Sequence, residues 1–424
     1  MKASSGKGPD ALDDDTKIKE EAARFDEELD ATGREQLDKD LRVALEKDSH
    51  TLGDVSNVAD KGGVLFSDAM LIDVQRRVVW DAIKTIGWNV LSGNAVNIMS
   101  MSLPVRIFEP RSFLQRLSDG WSCAPDLLTK AAQQTDPVER MKYVIAFAIS
   151  GLHFSVRQWK PFNPILGETY QAEFGDGTQM YLEQTSHHPP VSHYQVFGPN
   201  NLYKLYGYAT FAAAWRGNCL KGSQSGPNVV EFQDGSRVSY TLPYLWLSGI
   251  LYGDRISEYL GEMQVADRRN ELDCKIVFNP DGVSYLKSFF VSSSSPSDIF
   301  RGDIMRKGSR VAQVEGSWLN EVKSNGTVLY DARVKSNVFA QAVADPLPSD
   351  SRFRADLVAL AEGNFDLAQT KKVELEDAQR ADRALRKQGY EQRADEDDLG
   401  EDDSSNSEGN ATGSASVTSS SNAF

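Results

Sequence analysis

The sequence predicts an α+β fold built around one large antiparallel β-barrel, with helices before and after it. Two observations predict it. From about residue 168 to 345, short aromatic or β-branched runs alternate with Gly/Asn/Asp turns and no helical stretch intervenes. On both sides of that region apolar residues recur at helical spacing instead. Many short strands joined by tight turns pair antiparallel, and a meander this long removes its exposed edges most economically by closing. The expected product is a container, with N-terminal helices placed to plug or cover it.

Each segment follows in order. Residues 1–70 are rich in Asp, Glu and Lys, with a thin apolar stripe in "EEAARFDEELDATGREQLDKDLRVAL", and read as mostly disordered or weakly helical. In "VWDAIKTIGWNVLSG" one broad helical face carries Val79, Trp80, Ala82, Ile83, Ile86, Val90 and Leu91. Asp81, Lys84, Thr85 and Asn89 take the other, with Trp88 among them and expected in solvent. Such a helix either packs on the core or covers something apolar and meets a membrane surface. Further helices are expected at "RSFLQRLSDGW" and at "DPVERMKYVIAFAISGLHFSV", where Asp136 and Pro137 form a start signal. Hairpins follow around "GDGT", "GPNN" and "QDG", and after Pro346 the helical pattern returns. The tail 394–424, acidic and Ser/Gly-rich, is expected to be disordered.

The charge distribution narrows the function classes. Of 46 Lys+Arg and 61 Asp+Glu, residues 1–60 hold 9 and 17, and residues 391–424 hold 1 and 9. That leaves 36 against 35 for 61–390, so the net charge of −15 belongs to the ends. A folded part without basic excess argues against nucleic acid. Cys123, Cys219 and Cys274 are widely spaced, which argues against a disulfide framework or a structural zinc site. No signal peptide and no apolar run of about 18 residues is evident, so a cytoplasmic protein with peripheral membrane contact is expected.

The stretch "LEQTSHHPPVSHY" (182–194) gathers three of the five histidines. Adjacent strand residues point to opposite faces, so His187 and His188 are not expected to chelate one metal, and no HExxH accompanies them. No GxSxG elbow surrounds Ser186, so no nucleophile is expected and no enzyme. A barrel hydrolase or metal enzyme using the pair is the least favoured reading. The bland alternative is two histidines satisfied by backbone at a bend. The prolines that stiffen the bend favour an anion held by imidazole and cationic donors. Lys160 in the constrained "WKPFNPILGE" is one partner. Lys372, Glu376 and Arg380, spaced i, i+4, i+8 on the last helix, are others, unless they form only a solvated stripe.

"EQTSHHPP" resembles the signature of the oxysterol-binding proteins, with Thr185 where Val is usual. "LPVRIFEPRSFLQRL" (103–117), "KPFNPILGE" (160–168), "GSWLNEV" (316–322) and "KKVELEDAQR" (371–380) are similar to that family in the same order. The resemblance covers about residues 75–393 and implies a lipid-binding domain at 71–393. Its parts would be a lid at about 74–103, a near-complete barrel with a hydrophobic tunnel at about 160–345, and a C-terminal helical subdomain at about 351–393. It implies phosphatidylinositol 4-phosphate as one ligand and a sterol or phosphatidylserine as a competing second, with no cofactor and no metal. The head group would meet Lys160, Pro161, Phe162, Asn163, His187, His188, Lys372, Glu376 and Arg380. The lid and acyl-chain contacts would be Val79, Ile83, Ile86, Val90 and the stretch Ile98, Met99, Ser100, Met101, Ser102 and Leu103. The resemblance implies lipid transfer between membranes such as endoplasmic reticulum, Golgi and plasma membrane contact sites, by a monomer. A lipid sensor or scaffold acting on protein partners is the alternative. "ARFDEEL" (23–29) and "LFSDAM" (65–70) faintly resemble the acidic motif that docks such proteins on an endoplasmic-reticulum receptor.

Overall fold

A computed structural model describes residues 9–28, 31–49, 57–86, 102–281, 295–334 and 338–402. The chain divides into two compact units, Met1–Lys372 and Val373–Phe424.

The first unit opens with helices α1 (Pro9–Glu28) and α2 (Ala31–Ser49), a short strand β1 (Val64–Phe66) and α3 (Ala69–Ile86). Strand β2 (Phe108–Ser112) leads into α4 (Phe113–Asp119), capped by the Ser112 hydroxyl, which accepts from the Leu114 amide. A short α5 (Thr129–Gln133) precedes α6 (Pro137–Ser150). The α6 start signal operates as read, with Pro137 in the first turn and the Asp136 carboxylate accepting from the Val138 amide at 2.9 Å. Strand β3 (Lys160–Phe162) pairs in parallel with β2, setting Phe108 opposite Lys160 and Ser112 opposite Phe162.

The meander then runs through β4 (Thr169–Glu173), β5 (Gln179–His187), β6 (Pro190–Phe197) and β7 (Tyr203–Arg216). It continues with β8 (Cys219–Ser225), β9 (Asn228–Phe232), β10 (Arg237–Tyr240), β11 (Tyr244–Ser248), β12 (Arg255–Asp267) and β13 (Leu272–Phe278). The last strands are β14 (Ile299–Arg306), β15 (Ser309–Ser317), β16 (Glu321–Ser324), β17 (Thr327–Asp331) and the two-residue β18 (Gln341–Ala342). Every pairing in this 16-stranded sheet is antiparallel, and all join sequence neighbours except β1–β12, β4–β18, β7–β9, β8–β11 and β10–β12. The long strand β7 takes β8 along one half and β9 along the other, and β12 takes β11 and β10 in the same way. Pro227 and Pro243 fall at these breaks, where a residue without an N–H interrupts the ladder.

Beyond Glu139, Arg140 and Lys142 near its start, helix α6 is apolar all round, and it is buried through Met141, Val144, Ile145, Phe147 and Ile149, the pattern of an interior helix. It touches β10 as well as β15, β16 and β17, which lie far apart in the sheet order. The sheet therefore wraps around it, and the barrel is near-complete with β17 and β18 at its two edges. The turn chemistry matches the sequence: Gly177 and Gly235 have φ of +88° and +75°, and Asn200 and Asn201 carry the left-handed turn of "GPNN".

Two expectations need correction. The 1–70 segment read as mostly disordered or weakly helical forms α1 and α2, which bury Phe25, Leu37, Leu41 and Ala44. The stripe is thin but sufficient, because it packs with α3 residues in one cluster rather than supporting a core alone. The polar face of α3 is correspondingly not free. Asp81 is buried against Arg34, and the Phe25 ring stacks on Trp80 at 6.0 Å. Phe25, the aromatic of the first suggested docking motif, thus lies inside the fold. Trp88 lies outside the described residues.

C-terminal to the sheet, a turn at Ser351–Phe353 precedes α7 (Ala355–Ala361) and α8 (Phe365–Asp402). Helix α8 runs past residue 393, where a disordered tail was expected to begin; residues 403–424 lie outside the described ones. The described part of the second unit is α8 from Val373, with intrahelical ion pairs between Arg380 and the half-buried Glu376 (4.0 Å) and between the exposed Arg386 and Asp382.

Candidate functional site

The barrel interior holds a cavity of about 300 Å³. Its walls are mainly apolar: Phe113 and Leu117 of α4, Trp121, Phe147 and Ala148 of α6, Phe211 of β7, and Leu245 and Tyr259 of the opposite strands. Two glycines let its helical floor close up. A Cβ on Gly151 would sit 2.1 Å from the Gly120 carbonyl oxygen, so the ends of α4 and α6 meet backbone to backbone there. The cationic Arg116, Arg157 and Lys160 join the lining, with Pro161 next to Lys160. Arg116 is neutralised by the buried Glu109 at 2.5 Å.

Just beyond, two lysines distant in sequence reach one ring. The Lys160 ammonium lies 4.7 Å and the Lys372 ammonium 5.7 Å from the centroid of Phe108. Phe108 stacks on Phe162 at 4.7 Å, and the Arg354 guanidinium lies 5.2 Å from the Phe162 ring. Lys160 donates to the Asn163 side-chain oxygen and, at 3.3 Å, to the Pro161 carbonyl. Lys372, buried at the start of α8, donates to the Ser102 hydroxyl at 3.3 Å. Ring faces favour cations, which explains how both ammonium groups settle in a largely buried place.

The Lys160–Glu168 segment lies alongside the end of β5. The Gly167 amide donates to Gln184 O at 2.8 Å, and the Gln184 amide to Glu168 O at 2.9 Å. Three residues further on, β5 ends at His187. His187 and His188 stand edge to face with ring centroids 4.7 Å apart, the first half-buried and the second exposed, beside a cis His188–Pro189 bond. This corrects one premise: strand alternation does not separate the two rings, because the strand stops between them. The bend is braced by Ser186, whose hydroxyl donates to Pro189 O, and by the buried Gln184, whose amide donates to Ser186 O. Among the described residues no group of three His, Cys, Asp or Glu is arranged to hold a metal ion.

Lys160, Asn163, Lys372, Ser102 and Phe162 therefore assemble around Phe108, with Pro161 on the cavity wall. Glu376 and Arg380 belong to the second unit, where Arg380 is exposed and pairs with Asp377 and Glu376. Of the expected lid contacts, Ile83 and Leu103 are buried and Val79 half-buried in a second apolar cluster with Trp159, Phe108 and Phe162. Among the described residues, none of α3 lines the cavity. Ile86 ends α3, and Val90, Ile98, Met99, Ser100 and Met101 lie outside the described residues. Sequence reasoning missed Phe108, Glu168 and Arg354. Their signal was present, since charged and aromatic residues flank the "FEP", "LGE" and "RFRAD" stretches.

An antiparallel barrel with a mainly apolar cavity that takes cationic side chains into its lining defines a ligand-holding barrel protein. The chain belongs to the oxysterol-binding protein family, whose model matches residues 87–398. It is 35% identical over 335 residues to Oxysterol-binding protein 9 of Dictyostelium discoideum, covering 75% of this chain and 78% of that one. It is 32% identical over 305 residues to the mouse Oxysterol-binding protein-related protein 5, covering 67% of this chain but 34% of the relative. The chain thus spans about a third of the length of that mammalian relative. Among solved structures it is similar to the Osh3 ORD from Saccharomyces cerevisiae in complex with PI(4)P, with TM-score 0.56 and 25% identity, covering 70% of this chain and 86% of that one. It shares the fold of the Osh1 ORD domain in complex with cholesterol, with TM-score 0.59 and 23% identity, covering 83% and 89%.

Proposed function

We propose that the protein binds lipids one at a time in the barrel and transfers them between membranes. Phosphatidylinositol 4-phosphate is one ligand, and a sterol or phosphatidylserine is exchanged for it. The observation that carries this reading is the convergence of Lys160 and Lys372 on Phe108 beside a mainly apolar cavity whose lining includes Lys160. A lipid is the ligand chemistry that needs both: an anionic head for the ammonium groups and hydrocarbon for the aromatic interior. The relatives solved with PI(4)P and with cholesterol support the same pair of ligands. His187, His188 and Asn163 would donate to the head group with the lysines. One cavity with two mutually exclusive occupants makes transfer an exchange. Among the described residues no helix is long and apolar enough to cross a membrane, which fits peripheral contact at membrane surfaces.

Mass spectrometry of lipid extracted from the purified protein, followed by transfer assays between donor and acceptor liposomes, tests the proposal. Recovery of a phosphoinositide and of a second lipid that displaces it is expected. Protein that binds both without moving either between liposomes would mark a sensor instead.

A further inference from the structure

The segment that presents Lys160 and Asn163 contains two prolines and no helix, and its position depends on one buried arginine that the proposed site does not use. Arg354 immediately precedes α7 and is buried. Its Nη1 donates to the Asn163 carbonyl at 2.8 Å and to Glu168 Oε2 at 2.9 Å. Its Nε and Nη2 form a two-toothed pair with Asp356 at 3.1 and 2.7 Å, while the guanidinium lies over the Phe162 ring. Glu168 in turn accepts from the Ile165 amide at 2.9 Å and from the Ser112 hydroxyl on β2. One guanidinium therefore touches residues 162, 163 and 168 of the segment and anchors them to the start of α7.

We infer that Arg354 is the positioning residue for the Lys160–Glu168 segment, holding its cation and amide in the geometry an anionic head group needs. This rests on the lipid-binding reading of the same site. Burial alone would make the charge of Arg354 costly, and Glu168 and Asp356 overcome it, so the arginine stays charged. A lysine in its place is a point charge that cannot fork to Asp356 while also reaching Glu168 and the Asn163 carbonyl. The guanidinium is needed for shape as much as for charge.

The test uses full-length protein and its Arg354→Lys variant. Hydrogen exchange is read across Asn163–Glu168, and uptake is read from phosphatidylcholine vesicles doped either with phosphatidylinositol 4-phosphate or with a sterol. The expected result is exchange at the Ile165 and Gly167 amides faster by about tenfold or more, with β6 and β7 amides unchanged. Phosphoinositide uptake should fall by about tenfold while sterol uptake holds within about twofold. Unchanged exchange in the segment overturns the inference, and so does parallel loss of both ligands. If Arg354→Lys does not fold, Arg354→Met combined with Glu168→Gln and Asp356→Asn removes all three charges and is read at the Gly167 amide, whose own acceptor is the Gln184 carbonyl. Wild-type protein that takes up no phosphoinositide, together with faster exchange in the variant, upholds the positioning role and overturns the ligand reading instead.

Discussion

Arg34 donates from Nε and Nη2 to one carboxylate oxygen of Asp81, at 3.2 and 3.0 Å, and so pins α2 to the buried side of α3. The pair is lopsided: the Asp81 side chain is 6% exposed and that of Arg34 is 51% exposed. It is one of several ties, with Arg77 to Asp40 at 2.9 Å and Arg106 to Asp38 at 2.6 Å. The asymmetry predicts unequal mutants. Arg34→Ala strands a buried carboxylate and should cost about 1–3 kcal/mol. Asp81→Asn leaves only an exposed guanidinium and should cost under about 1 kcal/mol. Urea melts of the two variants check the order; equal losses would contradict it.

Phe25→Ala should destabilise the packing of α1 on α3 by about 3–5 kcal/mol, because the ring is buried against Trp80 with little room to collapse. Limited proteolysis should then cut the first fifty residues well before the barrel. Equal protease resistance in variant and parent would contradict it.

His187→Ala with His188→Ala should abolish phosphoinositide uptake, and Lys372→Ala should weaken it by about tenfold, each sparing an uncharged sterol. Arg380→Ala discriminates between two readings of α8. A head-group role predicts a comparable loss, whereas a solvated stripe contributes only about 0–1 kcal/mol and leaves uptake unchanged. Liposome extraction with both lipids measures all four substitutions.

Gly151→Ala should cost roughly 1–3 kcal/mol, since its methyl meets the Gly120 backbone rather than a side chain that can yield. The clash lies in the cavity floor, so ligand uptake should fall together with the melting temperature. Wild-type stability in this variant would mean that the two helix ends part freely.

His153 supplies the pH dependence. Burial holds its imidazole down at about 4, against an ordinary value of 6.5. Between those values the unfolded chain binds the proton and the folded chain does not, so stability rises with pH through that window. At pH 5 the folded state should be about 2 kcal/mol weaker than at pH 7.5 on account of this residue alone. His153→Phe, beside Phe154, should flatten that part of the slope. An unaltered slope in urea titrations would place the acid sensitivity elsewhere.

The barrel was legible because alternation and turn chemistry are local: "GDGT" and "QDG" name their own hairpins, and Asp136–Pro137 names the start of α6. The site was half legible. "KPFNP" and the His pair are continuous strings, whereas the ring that collects Lys160 and Lys372 belongs to a third segment, and only β2–β3 pairing brings it there. The N-terminal helices were misjudged for a related reason. Phe25, Leu37 and Leu41 look too sparse to pay for order by themselves, and their partner surface on α3 becomes apparent only once both are folded. Helical spacing puts Asp81 on the polar face of α3 and cannot register that a neighbour will bring Arg34.

The bond between Arg354 and Glu168 spans 186 residues, and β4 likewise waits for β18 to cover its outer edge. A ribosome extends the chain at about 5–20 residues per second, so roughly 10–40 s separate the emergence of Glu168 from that of Arg354. During that interval the nascent chain can close its hairpins one after another, yet the Lys160 segment has no guanidinium to fasten it and the first edge of the sheet is bare. The proposed head-group site therefore matures late in synthesis, and a polypeptide interrupted before residue 354 would carry most of the strands without the guanidinium that fastens the Lys160 segment.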